Sequence, residues 1–217
     1  MWDFVDRVIY INLEHRSDRR EIMQTFFKES GIPLEKVVRF NAIPHEIGAI
    51  GCLQSHLEAL RLAKKNQWKN VLILEDDLKW IGGYDRLEEL IELPKWDVIL
   101  LLGYYRKYDF PRVYFSTNAG AYLVNYEYYD TLLKNREECY SQLMSRTSYS
   151  IRRRRTVLYD PEQYFRNDSY WQLLMERDNW YGLNPCICTQ IDGFSDVVKR
   201  KYRPSHFTGI HSSDYVD

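Results

Sequence analysis

The sequence predicts an α/β fold: a mostly parallel central sheet with helices on both faces. Three observations carry that expectation. Apolar runs and amphipathic helical stretches alternate as β-α-β-α-β over the first third of the chain, and such an order builds a right-handed, largely parallel sheet. The third run, Val71-Leu72-Ile73-Leu74, has no polar interruption, as a strand buried on both faces requires. It passes directly into three consecutive carboxylates, Glu75-Asp76-Asp77, at the strand end where open α/β sheets bind ligands.

The elements follow in order. Val5 to Leu13 reads as the first strand, with Val8, Ile9, Tyr10 and Ile11 in its middle and Asn12 near its carboxyl end. Ser17 is placed to cap a helix over 18–30, whose Ile22, Met23, Phe26 and Phe27 share a face and which Gly31-Ile32-Pro33 ends. Arg16, Arg19 and Arg20 cluster at this strand-to-helix turn, where guanidinium forks and free helix N–H groups suit a phosphate or a uracil carbonyl. A solvated basic helix start is the alternative.

Val37 to Ile43 is a second strand, and the loop from His45 to Gly51 carries two glycines that permit close backbone approach. The next helix has Leu53, Leu57 and Leu60 as its stripe and ends near Asn66. His56 borders that stripe, as either a satisfied core histidine or a ligand-binding one. After the third strand come Gly82-Gly83, a short helix through Leu90 and a fourth buried strand from Trp96 to Leu102. Tyr104 to Tyr114 has little period and reads as an ordered loop or a substrate-facing wall. Ser116 to Val124 reads as a turn and a strand, Tyr126 to Met144 as a helix, and Pro185 to Gln190 as extended. Asp168 stands where it can cap a helix or project from its start. The run Arg152 to Arg155 reads as a solvated loop, with a contact to an anionic acceptor or a membrane surface as the second reading.

Composition limits the partners. With 217 residues the chain fits one domain, 1–217. A formal net charge of -1 with 28% charged residues gives no global attraction to nucleic acid or to an anionic membrane. The 18 Tyr and 6 Trp either line a groove for a sugar or planar group or tile a strand surface. Cys52, Cys139, Cys186 and Cys188 lack the spacing of a disulfide framework and read as reduced thiols. Cys186 and Cys188 would face opposite sides of an extended segment, which disfavours one shared zinc. No apolar run reaches membrane-span length and the N-terminus lacks a basic region followed by an apolar core, so a cytoplasmic location is expected, with no transmembrane segment.

The acidic trio defines the expected chemistry. In the predicted order the first and third strands end on one sheet edge, so Asn12 and Arg16 converge with Glu75, Asp76 and Asp77. Hard oxygen ligands suit Mg²⁺ or Mn²⁺, which neutralise a diphosphate.

Several segments resemble glycosyltransferase family 25, the lipopolysaccharide and collagen galactosyltransferase type. Tyr10-Ile11-Asn12-Leu13 with Arg16, Asp18 and Arg19 is similar to its opening motif, and Gly48-Ala49-Ile50-Gly51-Cys52 with Ser55-His56 to its central one. Leu72 to Asp77 follows as in the family, Thr117 to Leu123 resembles its small-residue strand, Asp168 its later acidic position, and Pro185, Gln190, Ser195 and Asp196 its terminal motif. One departure is Gly48-Ala49, where the family more often has Gly-Glu. The chain resembles compact members of bacteria and large DNA viruses.

The resemblance implies a GT-A fold with a Rossmann-like sheet, a nucleotide-binding half over 1–103 and an acceptor-binding half over 104–217. It implies inverting, metal-dependent transfer of a hexose from a nucleotide-sugar donor, expected to be UDP-linked, to a hydroxyl on a glycan, lipid-linked or protein acceptor. Asn12, Leu13, Arg16, Arg20, Gly51, Ser55, His56, Asp76 and Gln190 are the implied donor-binding residues. Asp77, with Glu75 or Asp76 assisting, would hold Mn²⁺ or Mg²⁺; His206 resembles a third ligand seen in other GT-A enzymes, with His211 as its rival. Asp168 is the expected catalytic base, Asp192 and Asp196 the alternatives. A metal-dependent nucleotide hydrolase and an inactive sugar-binding or scaffold domain are the competing classes.

Overall fold

The computed structural model of the chain describes residues 1–153 and 167–202. His206, His211 and the side chains of the arginine run lie outside the described residues. The first half runs β1 (Arg7–Asn12), α1 (Ser17–Ser30), β2 (Val37–Asn41), α2 (Gly48–Lys65), β3 (Asn70–Glu75), β4 (Leu78–Trp80), α3 (Tyr84–Ile91) and β5 (Val98–Leu100). Then come β6 (Tyr104–Asp109), β7 (Arg112–Thr117), β8 (Ala121–Asn125), α4 (Tyr129–Arg153), α5 (Asn167–Tyr170), α6 (Gln172–Met175) and β9 (Trp180–Gly182). Three short strands follow: β10 (Cys188–Gln190), β11 (Gly193–Ser195) and β12 (Arg200–Tyr202).

Eight strands form one sheet in the order β2-β1-β3-β8-β5-β9-β7-β6. β1 is parallel to both β2 and β3, and β5 to β9, while β8 and β7 run against their neighbours. Six of the eight strands therefore share one direction, as the β-α-β-α-β order predicts. The expected shared edge is found, and the structure goes further: β1 and β3 pair directly, with Ile11 opposite Glu75.

Side-chain alternation puts helices on both faces. Ile9, Ile73 and Tyr122 are in register on one face, and Tyr122 stacks on His56 of α2 with centroids 5.7 Å apart. Tyr10 points the other way, meeting Phe27 of α1 edge-on at 5.5 Å. Val71 to Leu74 are each fully buried. Each such aliphatic side chain contributes roughly 1.5–3 kcal/mol before the entropy of ordering is set against it. Trp2, Trp171 and Trp180 are fully buried too, so these tryptophans are core rather than groove lining.

Three expectations are corrected. Ser17 lies inside α1; the capping position is Arg16, with no side-chain cap bond. The second long helix begins at Gly48, so the glycine motif is its first turn rather than a preceding loop. Tyr104 to Tyr114 is most of a β-hairpin at the sheet edge, β6 against β7. Its register shifts around Arg106, a bulge that breaks the period-two pattern by which strands are read from sequence.

Candidate functional site

Consecutive residues at a strand end point to opposite sides, and the acidic trio divides accordingly. Asp76 turns toward α1. It accepts a 2.7 Å bond from Asn12 Nδ2 and a 2.5 Å bond from Arg19 Nη1, and the pair is almost wholly buried. The other arm of Arg19 lies 3.4 Å from Asp77 and donates to the Phe194 carbonyl at 2.9 Å. One guanidinium thus clamps two neighbouring carboxylates and the segment that crosses them. Arg19→Gln would leave Asp76 buried without its cation, and a loss on the order of 3 kcal/mol is expected by denaturant titration.

Asn12 is fully buried and saturated, holding Asp76 and the Arg16 carbonyl through Nδ2 while Arg39 Nε donates to its Oδ1. It organises the edge from beneath. Half-buried Leu13 offers its carbonyl to the Arg16 amide, closing the turn. Arg16 pairs with both Asp18 and Asp196, and Arg20 reaches the Glu14 carbonyl and carboxylate. The Arg16–Asp196 contact depends on Gly48: a Cβ there would lie 2.4 Å from the Val197 carbonyl oxygen and 2.8 Å from that of Asp196. Asp196, one alternative base, is therefore held in an ion pair.

Gly51 and Ser55 are buried and hold backbone together. A Cβ on Gly51 would stand 2.6 Å from the Ile43 carbonyl oxygen, and Ser55 Oγ bridges the Ile43 amide and the Gly51 carbonyl at 2.8 and 2.7 Å. His56 is 1% exposed, with Nδ1 2.9 Å from Tyr122 Oη and Nε2 3.4 Å from Glu75 Oε1. Burial, then the nearby Arg136 charge, pushes it down to about 3, so it is neutral at physiological pH.

Glu75 turns toward α2. Its Oε1 faces His56 and the Cys52 thiol, 3.8 Å away, and its Oε2 accepts from Gln190 Nε2 at 3.2 Å. Gln190 donates at 3.3 Å to Asp77 as well, spanning the two acids, and the Asp77 carbonyl accepts from the Ile191 amide at 2.8 Å. The short β4–β10 pairing places it there. Its Oε1 accepts from Asn118 Nδ2 at 2.9 Å; the Asn118 amide in turn bonds Asp168 Oδ2 at 2.9 Å. Asp168, half-buried at the start of α5, thus joins the acidic edge through two intermediaries.

These acids exceed their local cations. Burial pushes Glu75 up to about 7, with Asp168 and Asp76 adding to it. Burial and then the Glu75 charge push Asp77 to about 7 as well. Two carboxyls held near neutrality beside a clamped third are short of positive charge, and an all-oxygen pair is the donor type that Mg²⁺ or Mn²⁺ takes. Glu75 and Asp77 fit such an ion, whereas Asp76 is committed to Arg19 and Asn12.

Three contributors escaped the sequence. Asn118 sits at φ 79°, a conformation Asn tolerates better than most residues, and its place in a turn of small residues was the available signal. Arg39 carried none. Arg136, fully buried inside α4, lies over the Trp171 ring at 4.7 Å and donates to the Asn167 carbonyl beside Asp168. A lone Arg in a polar helix gives no hint of that burial.

The sheet order, with this acidic strand end at its edge, defines the class: the fold is the GT-A fold of glycosyltransferases. The structure is similar to that of a glycosyltransferase involved in the glycosylation of the major capsid of PBCV-1, with a TM-score of 0.50 and 12% identity over 82% of this chain and 81% of that one. It is also similar to A197 from STIV, with a TM-score of 0.49 and 13% identity over 91% and 93% of the two chains. No protein-family model matches the chain. The particular likeness is to glycosyltransferase family 25, as the motifs imply: a Glycosyltransferase 25 family member of Drosophila melanogaster is 35% identical over 101 residues. That match covers 35% of this chain, which spans only 16% of the relative.

Proposed function

We propose that the chain transfers a hexose from a nucleoside-diphosphate sugar, UDP-linked, to a hydroxyl acceptor, with inversion and with a divalent metal. The observation that carries this reading is the divided acidic trio at the end of β3: Asp76 neutralised by Arg19, and Glu75 and Asp77 left short of positive charge. Residues 1–103 form the donor half and 104–217 the acceptor half. Mn²⁺ or Mg²⁺ held by Asp77 and Glu75 would supply Lewis-acid neutralisation of the departing diphosphate.

The chain's own residues do the rest. Arg16 and Arg20, at the β1–α1 turn, face the donor with the first amides of α1. Gln190 keeps Glu75 and Asp77 apart at a fixed spacing, which preorganises the anionic side of the site. Asp168 removes the acceptor hydroxyl proton as that oxygen attacks the anomeric carbon. The Asn118 amide aims its carboxylate.

The test is a thermal-shift screen of nucleoside-diphosphate sugars with and without Mn²⁺. The cognate donor should raise Tm only when Mn²⁺ is present, by linkage of binding to folding. A flat response to every uridine and guanosine donor would refute the donor site. Rapid donor turnover without acceptor would favour a nucleotide hydrolase instead.

A further inference from the structure

Another cluster of side chains with metal-ligating atoms lies behind the acidic edge, on the side of Glu75 that faces α2. Cys52 and His56 are four residues apart in α2 and so share one helix face. Both present their ligand atoms to Glu75 Oε1, from 3.8 Å for Cys52 Sγ and 3.4 Å for His56 Nε2, and the three ligand atoms all lie within 4.8 Å of one another. We propose that Cys52, His56 and Glu75 form a site for a borderline-soft divalent cation, Zn²⁺, distinct in chemistry from the all-oxygen pair of the donor site.

Geometry is the first argument. With zinc bonds of about 2.3 Å to sulfur and about 2.0–2.1 Å to nitrogen and oxygen, tetrahedral angles put S and O about 3.5 Å apart and N and O about 3.3 Å apart. Two of the three separations are therefore close to their liganded values before any ion arrives. The second argument is preorganisation: Tyr122 Oη, 2.9 Å from Nδ1, and the stacking of the two rings fix the imidazole plane with Nε2 toward Glu75. Charge is the third. A thiolate and a carboxylate with a neutral imidazole carry two negative charges, which Zn²⁺ cancels, and three protein ligands leave a fourth position for water.

Binding would release the Cys52 proton to solvent as the Zn–S bond forms. It would also engage the carboxylate oxygen opposite the one that Gln190 and the donor-site metal use, so zinc would tie down Glu75 from behind. Nothing in this requires the transferase reading to hold.

The experiment is titration of the purified full chain with Co²⁺, as a spectroscopic stand-in for Zn²⁺, without other metals and under anaerobic conditions. The expected result is a sulfur-to-cobalt charge-transfer band in the near ultraviolet, with tetrahedral visible bands, saturating at one equivalent and bleached by Zn²⁺. Cys52→Ser should lose the charge-transfer band, while Cys139→Ser should keep it. In the wild-type chain, Zn²⁺ should also shield Cys52 from alkylation by iodoacetamide, read by peptide mass spectrometry, which decides the matter even if Cys52→Ser does not fold. A wild-type chain that shows no charge-transfer band, a Cys52→Ser variant that retains it, or Cys52 alkylation unaffected by Zn²⁺ overturns the proposal.

Discussion

Asp168→Asn is expected to lower kcat by on the order of 10²–10⁴ while donor binding survives, because under the proposed function only the proton acceptor is removed. The substitution is nearly isosteric. An Asn side-chain oxygen can still accept the Asn118 amide bond that now holds Asp168 Oδ2, so α5 and the β7–β8 turn should stay in place. Single-turnover transfer, together with the metal-dependent thermal shift, separates the two effects. An Asn variant with normal kcat would move the base elsewhere. Asp196 is a poor substitute, since it is paired with Arg16.

Asp77→Asn should cost on the order of 10²–10³ in kcat and abolish the Mn²⁺-dependent thermal shift. Its effect on stability should have the opposite sign. The Asp77 carboxyl is held at about 7 in the folded chain against 3.8 for an ordinary aspartate. Between those values the native state binds more protons than the unfolded chain, so wild-type stability falls as pH rises through that window. Asn cannot ionise and escapes the loss. Without metal, the variant should match wild type near pH 4 and exceed it at pH 8 by on the order of 2 kcal/mol, or several degrees in Tm. A variant less stable than wild type at pH 8 would refute the charge-crowding account.

Much of the frame was legible. An unbroken Val71-Leu72-Ile73-Leu74 run fits a strand buried on both faces, and the alternation of strand and helix before it ends β1 and β3 on one sheet edge; that the two are neighbours was decided by the fold. That adjacency brought Asn12 to Asp76 as expected, but the arginine that meets the trio is Arg19 and not the expected Arg16, which pairs with Asp18 and Asp196. What failed to show were features whose signal is cancelled locally. The β6–β7 hairpin hides behind a bulge at Arg106, and Asn118 acquires meaning only when β8 has paired with β3.

The roles within the motifs were less legible than their existence. Asn12 and Ser55 looked like ligand contacts, and His56 like either a ligand contact or a core histidine, yet each side chain is buried and turned toward protein groups. Asn12 braces Asp76, Ser55 ties the β2–α2 loop to its helix, and His56 sits between Tyr122 and Glu75. A sequence displays which polar residues recur near a strand end; it does not display which way each one turns.

By itself, the sequence determined the α/β order, the central acidic strand end and the likeness to glycosyltransferase family 25. These rest on periodicity and on contiguous residues. Only the tertiary structure decided that the three carboxylates have three different situations: Asp76 clamped by Arg19, Asp77 facing Gln190, and Glu75 reaching back to Cys52 and His56. Side-chain direction alternates along a strand, so neighbours in sequence face different partners in space, and those partners come from α1, β10 and α2.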